Sequence, residues 1–376
     1  MTHEHGISPE PQKTRHGSIF QHGEPFRLES GSVLPRLDIA YTSHGRLNAG
    51  GTNAILVCHA LTGNAHASDA VLDNGETIPG WFNGVIGQGL GLDTDRFFVL
   101  CSNVLGSCYG TTGPTSINPD TGAPYRMMFP QVTVRDMVRV QKLLLDHLGI
   151  RRLVTIIGGS LGGMQALEWA LMYPEIAGSI VPIATAAAHS AWCIGISETQ
   201  RLAIMNDMDW QEGNYSIQPA RGLAIARSIA MISYRSQVSF ANRFERSGIV
   251  TGDGHERIRL FEEVPLSFAV ESYLRYQGQK LADRFDANTY IYLTRAMDLH
   301  DVSAGRGSLR EVLRSVSARV LSIGISSDVL YPPAEQMAIA SAIPGAVYAE
   351  LNSPHGHDAF LIEFDRMNRL LRDFLD

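Results

Sequence analysis

Cysteine is scarce in this chain. Its 376 residues include four, Cys58, Cys101, Cys108 and Cys193, and no two stand in a C-x-x-C spacing. That excludes a zinc-ribbon or thioredoxin-like site. In a reducing compartment the four remain thiols, and Cys58 and Cys101, set in apolar runs, read as small core residues. No apolar run approaches the ~18 residues of a spanning helix, so a membrane is not an expected partner. There is no long basic run and the net charge is -7, which argues against nucleic acid. The first thirty residues are polar and mixed in charge, unlike a signal peptide, so a cytoplasmic protein is expected. Residues 1–16 read as a mobile tail. His3 and His5 within it are solvated tail residues in this reading, not ligands, and no metal site is expected.

Short apolar, β-branched runs are present instead, with the look of strands buried in a parallel sheet. They are 54–59, 97–101, 153–157, 179–183, 320–325 and 346–351. Helical periodicity lies between them, from Thr133 to Leu148 with Asp136 in its first turn, from Ala334 to Ile343, and from Phe364 to the end. Strand and helix in alternation predict an α/β fold, a mostly parallel sheet flanked by helices. The rhythm breaks between Ile183 and Val320, far beyond a normal connection. Helical patterns fill that interval, from Ala220 to Met231 and from Ala282 to Met297. They predict a helical lid inserted at 188–304 into a core made of 17–187 and 305–376; a second domain unrelated to catalysis is the other reading.

Leu153-Val-Thr-Ile-Ile-Gly-Gly-Ser-Leu-Gly-Gly-Met164 carries the most chemistry. A strand-like run ends in Gly158-Gly-Ser-Leu-Gly162, and a helical pattern follows as far as Pro174. Strand, G-x-S-x-G and helix together predict a tight turn that presents the Ser160 hydroxyl above the sheet edge, with Gly158 and Gly162 small because the turn is crowded. A serine nucleophile needs a base and the base needs an orienting acid, in the chain order serine, acid, histidine. Asp328 follows the run 320–325, and His355 and His357 follow the run 346–351. Gly356 favours His357 by permitting a tight turn, but spacing alone leaves both histidines open. Asp328 alone would read as a cap for the helix after Pro332-Pro333. The oxyanion donors expected of such a site are the N–H of Leu161, next after the serine, and an N–H in the loop His59-Ala-Leu-Thr-Gly63, where Leu61 is the candidate. His59 itself reads as a packing residue.

Taken together, these segments resemble the homoserine O-acetyltransferases, acyltransferases of the α/β-hydrolase fold. The resemblance runs from about Gly17 onward. It rests on 59–63, on Asn103-Val-Leu-Gly-Ser-Cys-Tyr-Gly-Thr-Thr-Gly-Pro114, on 158–163, on Thr185 to Ser197 with His189-Ser-Ala-Trp-Cys193, on Ser327-Asp-Val-Leu-Tyr-Pro-Pro333 and on Gly356-His-Asp-Ala-Phe-Leu361. It implies a Ser160–His357–Asp328 triad. It also implies Arg227 for a substrate carboxylate, Tyr234 and Thr62 in the pocket wall, and Asp358 for a substrate ammonium. It implies acetyl-CoA as co-substrate with no permanently bound cofactor, L-homoserine as acceptor, the first committed step of methionine biosynthesis, and a homodimer formed by the lid helices. Succinyl-CoA as donor, serine as acceptor, or an esterase on the same scaffold are the alternatives. Two departures from the family pattern, Val329 after the acid and Ser107 in the Gly/Thr-rich segment, are expected near the pocket.

Overall fold

The computed structural model describes residues 18–71, 77–248 and 268–376. The tail 1–16, with His3 and His5, lies outside them. Eight strands form one sheet: β1 (Ser18–His22), β2 (Leu37–His44), β3 (Ala54–Cys58), β4 (Phe98–Ser102), β5 (Leu153–Gly159), β6 (Ser179–Ile183), β7 (Arg319–Ile325) and β8 (Val347–Leu351). Their order is β1-β2-β4-β3-β5-β6-β7-β8. β1 and β2 pair antiparallel, as do β2 and β4, and every other pairing is parallel. The six strands expected from apolar runs are therefore the parallel part of the sheet.

All five residues of β3 are buried. Ala54, Leu56 and Cys58 face one side of the sheet and Ile55 and Val57 the other, each side packing into its own cluster. This is why the run reads as continuously apolar: a strand covered on both faces has no wet side to leave an alternating mark. Helices α1 (Val134–His147) and α2 (Leu161–Met172) contribute to the first cluster and α10 (Phe364–Leu375) to the second. Thr133 starts α1 as a capping box with Asp136, whose carboxylate also accepts the Glu29 N–H at 2.8 Å.

Between β6 and β7 the chain forms α3 (Ala191–Met205), α4 (Ala220–Tyr234), α5 (Gln237–Phe244), α6 (Ala269–Ala282) and α7 (Ala287–Asp298). The single helical pattern expected from Ala282 to Met297 is corrected here. Residues 283–286 form a break, and Asp286 caps α7 by accepting the Thr289 N–H at 2.7 Å. The short α8 (Leu309–Arg314) and then α9 (Pro333–Ala342) complete the set. No helix among the described residues is long and apolar enough to cross a membrane.

Candidate active site

Ser160 sits between β5 and α2 with φ 56° and ψ -121°, a conformation that costs energy for any residue with a side chain. Its surroundings hold it there. Its N–H donates to Ile183 O at 2.9 Å, and the Thr185 hydroxyl donates to its carbonyl at 2.8 Å. The two flanking glycines are sterically required. A Cβ at Gly162 would stand 2.1 Å from Cys58 O, and one at Gly158 would stand 2.5 Å from the Gly162 carbonyl carbon. The start of α2 thus rests directly on the end of β3. Inside α2, Gln165 donates to Leu161 O at 3.1 Å and reaches His59 O at 3.4 Å, which ties the helix to the loop after β3.

That loop is set by His59. Its Nε2 accepts the Val104 N–H at 3.0 Å, which places the ring proton on Nδ1, 2.8 Å from Ala60 O. The ring is wholly buried, and burial pushes it down to about 4, so it is neutral. The packing role expected for His59 matches this arrangement. Neither the Leu61 N–H nor the Leu161 N–H donates to a protein acceptor among the described residues. Ala60, Leu61, Thr62 and Gly63 line one cavity with Ser160, His357 and Asp358. It measures about 190 Å³, many times the space one water needs.

Asp328 and His357 follow the ends of β7 and β8. Asp328 Oδ2 is 2.7 Å from His357 Nδ1, and both side chains are almost fully buried. Asp328 Oδ1 accepts from the N–H groups of Leu330 at 2.8 Å and Tyr331 at 2.9 Å, so both carboxylate oxygens are occupied. It does not cap α9, whose N-cap is Pro332. The carboxylate holds the imidazole proton on Nδ1 and leaves Nε2 with its lone pair. Burial opposes a charge on His357, but the adjacent Asp328 carboxylate, helped by Asp358, outweighs it and lifts the ring above its ordinary value. Glu335, in the first turn of α9, is raised to about 7 by burial and by the charge of Asp328. Among the described residues no hydrogen bond joins Ser160 Oγ to His357 Nε2; such contacts are commonly looser before a substrate is seated. His355 does not line the cavity; its N–H donates to Ser353 Oγ at 3.2 Å.

The helical segment between β6 and β7 supplies part of the wall. Arg227 and Tyr234 line the cavity from α4, the guanidinium 5.3 Å from the tyrosine ring centre. No carboxylate pairs with Arg227 among the described residues. Asp358 lines the same cavity with one oxygen 3.3 Å from Arg235 Nε. Arg235 was not anticipated from the sequence. Neither was Arg284, which lines the cavity and donates to Thr62 O at 3.0 Å and Tyr109 Oη at 2.6 Å. Trp81, another lining residue, also carried no sequence signal. The expectation that Val329 and Ser107 sit near the pocket is corrected, since neither lines it. Val329 points outward at 47% exposure, and Ser107 is wholly buried.

A strained serine at a strand-to-helix turn, facing a histidine held by an aspartate from two later strands, defines the class. A family model described as the alpha/beta hydrolase fold matches residues 53–364. Homoserine O-acetyltransferase from Moorella thermoacetica is 52% identical over 363 residues, 95% of each chain, and this chain belongs to the homoserine O-acetyltransferase family, whose members are acyltransferases. The crystal structure of homoserine O-acetyltransferase from Bacillus anthracis superposes with a TM-score of 0.87 at 28% identity, over 96% of this chain and 98% of that one. The crystal structure of esterase E22 superposes with a TM-score of 0.85 at 30% identity, over 96% and 99%.

Proposed function

We propose that the transfer of acetyl from acetyl-CoA to the hydroxyl of L-homoserine is carried in this chain by a Ser160 acyl-enzyme. The observation that supports it is the charge layout of one cavity: a serine and an aspartate-held histidine share its lining with Arg227 and Asp358. His357 Nε2 takes the proton of Ser160 Oγ as Oγ bonds to the thioester carbonyl carbon. The Leu61 and Leu161 N–H groups receive the oxyanion. The C–S bond breaks, and CoA leaves as a thiol with the proton from His357. L-homoserine then enters. The Arg227 guanidinium takes its carboxylate, Asp358 its ammonium, and Tyr234 and Thr62 form the wall. His357 deprotonates the substrate hydroxyl, which attacks the acetyl-serine ester, and the proton returns to Ser160. The reading needs no metal and no resident cofactor, and it expects a cytoplasmic setting. The likeness to an esterase keeps water in view as the competing acceptor, and the fold does not choose between them.

Arg227→Gln tests the acceptor half. A charged hydrogen bond carries ~1.5–3 kcal/mol, so KM for L-homoserine should rise about 10- to 150-fold. Single-turnover acetylation by acetyl-CoA should fall far less. An equal loss in both halves would remove Arg227 from the acceptor site.

The same reading includes a homodimer formed by the lid helices. Leu202 on α3 and Ile225 and Ile232 on α4 are exposed at 47%, 42% and 60%. Exposed apolar side chains on two helices that pack together favour a covering partner. Sedimentation should give twice the chain mass, shifting to one chain mass in Ile232→Asp. A monomeric wild type would contradict this part.

A further inference from the structure

The segment from Asp328 to Tyr331 is gripped from the lid side at successive residues. Trp192 Nε1 donates to Val329 O at 3.1 Å, and Cys193 Sγ to Leu330 O at 3.2 Å. The Tyr331 hydroxyl meets His189 Nε2 at 2.9 Å. His189 Nδ1 lies 3.2 Å from Asp298 Oδ1 at the end of α7, and Asp298 Oδ2 lies 2.7 Å from Arg201 Nη2 on α3. The Asp298 carboxylate keeps the His189 proton on Nδ1, so Nε2 accepts and the Tyr331 O–H donates. The side chains of His189 and Arg201 are each 1% exposed, and Tyr331 is wholly buried. Tyr331 then touches the triad twice. Its N–H donates to Asp328 Oδ1 at 2.9 Å, and its ring centre is 5.3 Å from that of His357.

A buried ionic chain of this kind is a costly way to fill space, and apolar residues of similar volume would do so as well or better. What it supplies is a fixed donor and acceptor order ending on the residue that bonds the acid. We infer that the Asp298–His189–Tyr331 chain positions the triad, with the lid holding Asp328 at its bonding distance from His357 through the Tyr331 hydroxyl. His189, Asp298 and Tyr331 are positioning residues, since none of them lines the cavity. Any movement of α3 against α7 therefore reaches the Asp328–His357 bond. This inference rests on the acyl-enzyme reading of Ser160 for its kinetic consequence but not for its geometry.

Tyr331→Phe tests it, because the ring stays and only the hydroxyl leaves. His189→Gln removes the imidazole from the same chain and serves as the second variant. Single-turnover acetylation should slow about three- to tenfold, the factor one hydrogen bond carries, with KM for both substrates within about twofold. The acid limb of acetylation should move to lower pH as the Asp328–His357 bond loosens. His357 is faced by Asp328, Asp358, Tyr234 and Tyr331, and Asp328 by Glu335, so both variants are read beside Glu335→Gln. The proton NMR signal of His357 Nδ1–H should move upfield in both variants, a readout that needs no turnover. A lower melting temperature with unchanged acetylation rate, pH midpoint and Nδ1–H signal, in either variant, would overturn the inference. A wild type that forms no acyl-enzyme while both variants shift the Nδ1–H signal would sink the acyl-enzyme reading and leave the positioning chain standing.

Discussion

Ser160→Ala should lower acetyl transfer on the order of 10⁶-fold and abolish the acetylated protein, with the melting temperature nearly unchanged. The size follows from losing the nucleophile of a unit whose members act together. The near-silent effect on stability follows from the structure. The Ser160 hydroxyl makes no hydrogen bond among the described residues, while the bonds that hold the turn use its N–H and carbonyl. Alanine keeps both and keeps the same backbone strain. Intact-protein mass spectrometry after mixing with acetyl-CoA reads the result directly. An acetyl adduct on the variant at the wild-type rate would place the nucleophile elsewhere.

Asp328→Asn should lower turnover about 10⁴-fold, because an amide beside Nδ1 presents an N–H and turns the imidazole to the wrong tautomer. The amide oxygen can still accept from Leu330 and Tyr331, so the loop keeps its bonds and the loss is catalytic. The pH dependence has a definite sign. His357 must be neutral to accept a proton, and in the wild type burial lowers it while Asp328 raises it further. Acetylation should therefore rise with pH through a midpoint above about 6.5, the ordinary imidazole value. Without the Asp328 charge burial is opposed only by the weaker effect of Asp358, and the midpoint should fall from its wild-type position. Glu335→Gln is the control, since Glu335 stands at about 7 beside Asp328. A midpoint that disappears in Glu335→Gln and is untouched in Asp328→Asn would assign the limb to Glu335.

The elbow was legible in the sequence because its steric demands are local. Gly158 and Gly162 are close in sequence and meet the same few atoms, so the pentapeptide and its flanking strand and helix carry the whole signal. The parallel strands were legible for a similar reason: burial on both faces leaves an unbroken apolar run. β1 was not, because its residues are exposed or half-buried and their order carries no apolar pattern. The break between α6 and α7 was missed although Asp286-Ala-Asn-Thr289 holds a cap signal, since apolar residues on both sides continue the helical period across it. Spacing left His355 and His357 open; the structure puts only His357 against Asp328. Arg227, Tyr234 and Asp358 came from resemblance, and all three meet the serine in one cavity. Arg235 and Arg284 had no signal at all. Each becomes visible only in the folded chain, where Arg235 meets Asp358 and Arg284 meets the Thr62 carbonyl.

The central claim is that an acetyl group rests on Ser160 and is taken by an amino-acid hydroxyl rather than by water. The most direct measurement loads the protein with acetyl-CoA, removes excess donor, and follows the acetyl-Ser160 adduct by mass spectrometry with L-homoserine, with L-serine or with buffer alone. The account predicts an adduct that persists in buffer and is discharged rapidly to O-acetyl-L-homoserine by homoserine. Discharge at the same rate in buffer alone would contradict it and make the protein a hydrolase. An adduct formed only with succinyl-CoA, or cleared faster by serine, would keep the triad and overturn the assigned substrates.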